Sequence, residues 1–334
     1  TNDIIVRHVR IRPGPPLDGY CGQATCPTNS SMDAVLINGS RIIFDHVSFS
    51  WGNDETFNII GNNGTSGNSQ AAPTQDITIQ WSQVYESLRS APNSQGNHSR
   101  AVYNGYGAGD RITWVRNLIA HSTRRNPNLG VIGQYDHINS VLYNFGQYAG
   151  EIYNRHGAYH LNFIGNATIV GPSTTTQRTR NALNLFMNDF RGTAQTDVYV
   201  DGNIDMNRPT DTGAENLIVD PKDFSFIRTS PVGLNGLSIV PANITTAVQA
   251  YKDVLDFAGA GANISQRDVS DVRVVGHVEA CTGAIIDNPT QVGGWPTLAA
   301  GTPPVDTDAD GMPDAWETAR SLNPALATDR NGDL

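Results

Sequence analysis

A short apolar strand, introduced by a polar residue, recurs along the first half of the chain. Asp3-Ile4-Ile5-Val6-Arg7-His8-Val9, Arg41-Ile42-Ile43-Phe44-Asp45-His46-Val47, Asp76-Ile77-Thr78-Ile79-Gln80-Trp81-Ser82 and Arg111-Ile112-Thr113-Trp114-Val115-Arg116-Asn117 lay over one another. His137-Ile138-Asn139-Ser140-Val141-Leu142-Tyr143 and His160-Leu161-Asn162-Phe163-Ile164-Gly165-Asn166 follow more loosely. Successive copies are 38, 35, 35, 26 and 23 residues apart. Each alternates apolar with polar residues and then kinks into a second apolar pair, such as Val9 and Ile11 or Val47 and Phe49. One such unit cannot bury its apolar side alone, whereas stacked coils share a continuous core. Propeller blades need four strands per repeat, and a sandwich needs hairpin-linked strands every 8–12 residues. The expected fold is therefore all-β, a parallel β-helix over residues 1–240.

Composition agrees, since 33 glycines and only 16% charged residues suit short strands joined by tight turns. A net charge of −10 argues against nucleic acid, which demands a basic face. It leaves room for an acidic glycan if Ca²⁺ bridges carboxylates and a few arginines line a cleft. No apolar stretch reaches the roughly 20 residues of a membrane span, and no leader peptide is visible. Cys21 and Cys26 are near enough to staple one loop, with Cys281 left over, but three cysteines do not fix a compartment.

From about Ile239 the repeat ends. Ile244 to Phe257 carries apolar residues at helical spacing and closes on Gly259 and Gly261, so residues 241–300 are expected to pack on the coils as a separate segment. Gly301-Thr302-Pro303-Pro304 then reads as a linker into an acidic tail, 301–334.

In that tail, Asp306, Asp308, Asp310, Gly311, Asp314 and Glu317 match positions 1, 3, 5, 6, 9 and 12 of the EF-hand loop, with the Met312 carbonyl at position 7. Carboxylates on alternate residues, a glycine for the sharp turn and a terminal glutamate are the requirements of a Ca²⁺ site, here expected to be structural. Asp329, Asn331 and Asp333 begin a comparable series that stops at Leu334, so a longer natural product is expected.

Several runs resemble polysaccharide lyase family 1, the pectate lyases. Ser31-Met32-Asp33-Ala34-Val35 and Phe44-Asp45-His46-Val47-Ser48-Phe49-Ser50-Trp51-Gly52-Asn53-Asp54-Glu55 are similar to one stretch of the family. Ser87-Leu88, His98-Ser99-Arg100 and His121 to Pro127 resemble its later landmarks, and Arg267-Asp268, Asp271-Val272-Arg273 and Val292 to Pro296 its closing region in bacterial members. The resemblance implies a right-handed, single-stranded β-helix that cleaves polygalacturonate by Ca²⁺-assisted β-elimination. An arginine would be the base, and because its pKa ordinarily exceeds 12, nearby Ca²⁺ and other cations must depress it. Carried over, Asp33 matches the first calcium ligand and Asp54 with Asn58 the later pair. Asn58 stands where the family has a carboxylate, with Glu55 as the compensating neighbour. Arg125 matches the presumed base, the first arginine of R-x-P-x-x-R, whereas Gly130 occupies the place of the last. His98, Arg100 and Arg124 are candidates for substrate contact. His46, Asp45, Trp51, Trp81 and Trp114 read as packing residues.

The implied setting is secreted or cell-surface, of bacterial type. The first coil, Ile4 to Ile11, is expected to be covered by a preceding segment or another chain. A β-helix that binds glycan or assembles without cleaving anything is the alternative, and production of an unsaturated uronide separates the two.

Overall fold

Two residues turn the chain from each strand of one sheet into the next: His8-Val9, His46-Val47, Trp81-Ser82, Arg116-Asn117, Asn139-Ser140 and Gly165-Asn166. The first of each pair is left-handed, with φ between 48° and 61°. Glycine adopts that conformation freely, while for the others the stacked coils must offset its cost. From Ser82 onward the second residue supplies a rung, beginning with Ser82 Oγ, which accepts from Val47 N at 3.1 Å. Asn117 Oδ1 accepts from Ser82 N at 2.8 Å, Ser140 Oγ from Asn117 N at 3.1 Å, Asn166 Oδ1 from Ser140 N at 2.8 Å and Asn203 Oδ1 from Asn166 N at 2.9 Å. Each buried hydrogen bond contributes about 1 kcal/mol net and costs more when one partner is removed.

The computed structural model describes residues 2–15, 31–61, 74–91, 93, 96–105, 109–130, 132–152, 159–175, 181–185, 196–220, 226–233, 243–264, 266–297 and 302–329. These form two compact units, Thr1–Pro296 and Thr297–Leu334. The proposed Cys21–Cys26 pair lies outside the described residues. Cys281 is exposed and unbonded.

The first unit is a right-handed parallel β-helix of three sheets, all of whose named strand pairs are parallel, with crossovers of the expected hand. The first sheet stacks Asn2–Arg7, Ser40–Asp45, Gln75–Gln80, Ile112–Val115, Gly133–Ile138, Tyr159–Ile164, Thr196–Asp201 and Ile227–Arg228. The second runs from Arg10–Ile11 through Ser48–Ser50, Gln83–Tyr85, Leu118–Ala120 and Val141–Tyr143 to Ala167–Ile169. The third runs from Val35–Ile37 through Glu55–Ile60, Arg100–Gly105, Asn128–Leu129 and Gly150–Ile152 to Leu183–Leu185.

Parallel register places like against like. Ile42, Ile77, Ile112, Tyr135, Leu161 and Val198 form one inward column, and Phe44, Ile79, Trp114, His137, Phe163 and Val200 the next. All twelve are buried, and each large apolar member stabilises the fold by roughly 1.5–3 kcal/mol. The fifth copy is corrected by this register. Gln134, not His137, aligns with Arg111, because Trp114 pairs with His137 and Val115 with Ile138. The strand Gly133–Ile138 is polar enough that its apolar end looked like its start.

Beyond the coils, helices α1 (Ala247–Phe257) and α2 (Val269–Ala280) begin on side-chain caps, Thr246 to Gln249 N and Asp268 to Ser270 N and Asp271 N. Val254, Leu255, Val274, Val275 and Val278 close over the second sheet's outer residues Tyr85, Leu118, Val141 and Tyr143. Residues 243–296 thus belong to the same compact unit as the coils, and α1 falls within the segment read as helical. A buried network fixes them there: Asp271 accepts from Ser48 Oγ at 2.8 Å and Tyr85 Oη at 2.7 Å and pairs with Arg12 at 2.9 Å, while Arg273 pairs with Glu86. In the second unit a short helix, α3 (Asp314–Ala319), follows the acidic loop. No described helix is long and apolar enough to cross a membrane.

Candidate active site

Strand alternation decides which residues of the third sheet face away from the core. Phe57, Ile59 and Val102 point into the core, so Leu36, Asn58, Tyr103, Asn128 and Glu151 fall in one outward column, in register across successive coils. At the entrance to that column Glu55 pairs with Arg100, and Arg100 bridges to Arg124. The two-residue corner and the strand pairing therefore bring residues 33, 54, 55, 58, 98, 100, 124 and 125 together from four turns of chain.

The acidic half is built around Asp33. Its Oδ1 accepts from Glu55 N at 2.9 Å and its Oδ2 from Asn58 Nδ2 at 2.8 Å. Burial, opposed by the Asn58 hydrogen bond and reinforced by the charges of Glu55 and Asp54, pushes the Asp33 carboxyl up to about 6. Asp54 is half-buried and lies 2.6 Å from His98 Nε2. Burial raises the Asp54 pKa, but the His98 hydrogen bond and charge outweigh it and leave it low. The imidazole of His98 is lifted in turn, because Asp54 and Glu55 overcome the desolvation that opposes its charge. His98 has no exposed side-chain surface. A ring nitrogen of His98 and carboxylate oxygens of Asp54 and Glu55 lie within 4.8 Å of one another, so the imidazole backs the acidic group.

The basic half faces it. Arg125 ion-pairs with Glu55, its guanidinium carbon sits 4.4 Å from the centre of the Tyr103 ring, and its backbone N–H donates to Glu151 Oε1 at 2.8 Å. Arg124 holds Glu151 at 2.9 Å and lies over Tyr148 at 5.0 Å. The pKa of Arg100 is lowered, first by burial and then by the charges of Arg125 and Arg124. Three cationic side chains thus lie near enough to act on one another, with Arg125 paired to Glu55 of the acidic group.

Gly130 approaches the backbone closely. A Cβ there would stand 2.8 Å from the Asn104 carbonyl oxygen, and Gly130 N already donates to that oxygen at 2.7 Å. An arginine does not fit without moving the Arg100–Gly105 strand. The packing residues fall as expected: Trp51 and Trp114 are buried, Trp81 stacks on His46, and His46 is hydrogen-bonded to Asp45 at 2.7 Å. Sequence reading missed Tyr103 and Glu151, which the outward periodicity of Arg100–Gly105 and Gly150–Ile152 carries.

The donor set suits a hard cation. Asp54 and Glu55 bring carboxylate oxygens within 4.8 Å of one another and of a His98 nitrogen, Asp33 and Asn58 adjoin them, and Asn58 Oδ1 is buried without a hydrogen-bond partner. Asp306, Asp308, Asp310 and Glu317 converge separately in the second unit, whereas both oxygens of Asp314 accept from Thr307.

No family model matches the chain. Among solved structures, a pectate lyase from Bacillus sp. N165 in complex with trigalacturonate superimposes with a TM-score of 0.49 at 16% identity, covering 78% of this chain and 69% of that one. Among curated proteins, a probable pectate lyase C of Neosartorya fischeri is 31% identical over 97% of this chain and 67% of its own length. One of Aspergillus terreus is 32% identical over 98% and 68%. These relatives are fungal, and nothing favours the bacterial source expected above. On that identity, sustained across two thirds of the relatives and nearly all of the sequence, the chain belongs to the pectate lyase family.

Proposed function

We propose that the chain cleaves polygalacturonate, or a closely related uronate polymer, by β-elimination in the cleft over the third sheet. Its family makes it a polysaccharide lyase. The observation that supports the site is the grouping of Arg100, Arg124 and Arg125 beside the acidic cluster of Asp33, Asp54, Glu55 and Asn58. Oxygens from those four residues would hold Ca²⁺, which when bound neutralises a uronate carboxylate and acidifies its C5 proton. Arg125 would be the base as the neutral guanidine, once its ion pair with Glu55 is given up to the cation: it takes the proton from C5, the C5–H electrons form the C4=C5 double bond, and the C4–O4 bond breaks. The leaving O4 takes a proton from water to become the hydroxyl of the departing sugar. The chain's other residues orient the base. Tyr103 supports the guanidinium from one face, and Glu151 fixes both the Arg125 backbone and the neighbouring Arg124. Arg100 and Arg124 are placed to bind uronate carboxylates.

A secreted or cell-surface enzyme on an acidic polysaccharide fits this chemistry. The test is Arg125→Lys, assayed by the ultraviolet absorbance of unsaturated product from polygalacturonate with Ca²⁺ or chelator. Lysine preserves charge but not guanidinium geometry, so turnover should fall by several orders of magnitude while circular dichroism and substrate affinity hold. Retention of more than about a tenth of turnover, under roughly 1.4 kcal/mol of transition-state stabilisation, removes Arg125 from that role. Glycan binding by the unaltered chain with no unsaturated product would favour the non-catalytic alternative.

A further inference from the structure

In the second unit the acidic loop is arranged so that each aspartate spends one oxygen on a backbone N–H. Asp306 Oδ2 accepts from Gly311 N at 3.0 Å, Asp308 Oδ1 from Asp310 N at 3.3 Å and Asp310 Oδ1 from Met312 N at 2.8 Å. The opposite oxygens, Asp306 Oδ1, Asp308 Oδ2 and Asp310 Oδ2, are buried with no hydrogen-bond partner. Asp329 repeats the device from a later segment, with Oδ2 on Asn323 N at 2.6 Å and Oδ1 buried and unpaired. Glu317, the first residue of α3 to turn inward, has no exposed surface, and neither of its oxygens has a partner. Ligand atoms of Asp306, Asp308 and Asp310, and again of Asp310, Glu317 and Asp329, lie within 4.8 Å of one another.

Six carboxylate oxygens buried together without a donor would repel one another strongly in a medium of reduced dielectric. A hard divalent cation resolves that conflict, and an all-oxygen, carboxylate-rich set of this size matches Ca²⁺ in preference to Zn²⁺ or Cu²⁺. The loop motif assigned its ninth position to Asp314. Both oxygens of that residue are instead taken by Thr307, N–H at 2.8 Å and Oγ1 at 2.7 Å. We propose that Asp306, Asp308, Asp310, Glu317 and Asp329 form one Ca²⁺ site, closed by Asp329 in place of Asp314, that pins the segment around residue 329 to the loop and to α3. The site is independent of the cleft chemistry. Because its ligands come from two stretches of chain, ordering of residues 302–329 is coupled to the cation.

The experiment uses the full chain with Tb³⁺ as the probe, excited through tryptophan, since Trp316 directly precedes Glu317. Sensitised emission displaced by Ca²⁺ is expected, and it should persist in Asp33→Asn. Glu317→Gln and Asp329→Asn should each weaken Tb³⁺ binding at least tenfold, whereas Asp314→Asn should stay within about threefold of the parent. Ca²⁺ should slow protease cleavage within residues 302–329 in the parent but not in Glu317→Gln, which separates loss of the cation from a general folding defect. Parent-like Tb³⁺ binding by Glu317→Gln or Asp329→Asn overturns the proposal. Equal loss in Asp314→Asn and Asp329→Asn, or no effect of Ca²⁺ on cleavage of the parent, overturns it as well.

Discussion

Replacing His137 with phenylalanine should stabilise the protein by an amount that grows as pH falls. The ring is fully buried, lies 5.3 Å from Phe163 at an interplanar angle of 9°, and leaves both nitrogens without a hydrogen bond. Burial pushes its pKa down to about 3, against about 6.5 in an unfolded chain. The folded imidazole therefore stays neutral while the unfolded one takes up a proton, so stability is lost as pH drops below about 6.5 and continues to fall towards 3. At 1.36 kcal/mol per pH unit, the loss from this residue between pH 7 and pH 5 is about 2 kcal/mol. At pH 7 phenylalanine removes two unpaired polar atoms from the core, a gain of about 1–3 kcal/mol. Urea midpoints of both proteins, measured in EDTA at pH 7 and pH 5, give the difference of differences. His121, also held near 3 by burial and then by the charges of His277 and Arg273, is common to both proteins and cancels. An unchanged gap between variant and parent at the two pH values would refute the assignment of His137 as a neutral core residue.

Asn58→Asp sets a second carboxylate against Asp33 and removes the amide that now donates to it. It should raise Ca²⁺ affinity about tenfold, by calorimetry, and lower the thermal midpoint in EDTA, since like charges are then forced together. Gly130→Ala should cost about 1–3 kcal/mol in urea unfolding, because its Cβ meets the Asn104 carbonyl. Asn117→Ala breaks a rung and leaves Ser82 N without its acceptor, costing about 1–3 kcal/mol, with the Ca²⁺ requirement of turnover unchanged.

The first sheet was legible because its strands are long, alternate cleanly and end on a corner of constant length. Register failed where alternation did. Gln134 and Asp136 are buried polar residues, so Gly133–Ile138 does not advertise itself as a strand. The third sheet was nearly invisible, since Asn128–Leu129 and Gly150–Ile152 are only two and three residues long and follow turns of unequal length. Arg125 and Asp33 were reachable through motif resemblance. Tyr103 and Glu151 were not, because they matter only once register aligns them with Asn58. In the tail, counting along the loop led to Asp314, and only the hydrogen bonds of Thr307 reveal that this carboxylate is already engaged.

The corner ladder also meters the cleft. Parallel strands sit about 4.8 Å apart, and a two-residue turn repeated without exception holds each coil to that pitch on the edge remote from the site. Chain length varies on the other two edges: four residues separate Ser50 from Glu55, but fourteen separate Tyr85 from Arg100. Growth or loss there changes what overhangs the cleft without altering the step from Glu55 to Arg100 or from Tyr103 to Asn128. The spacing of the residues proposed for the site and the content of their surroundings can thus drift independently, one set by the ladder and the other free to vary.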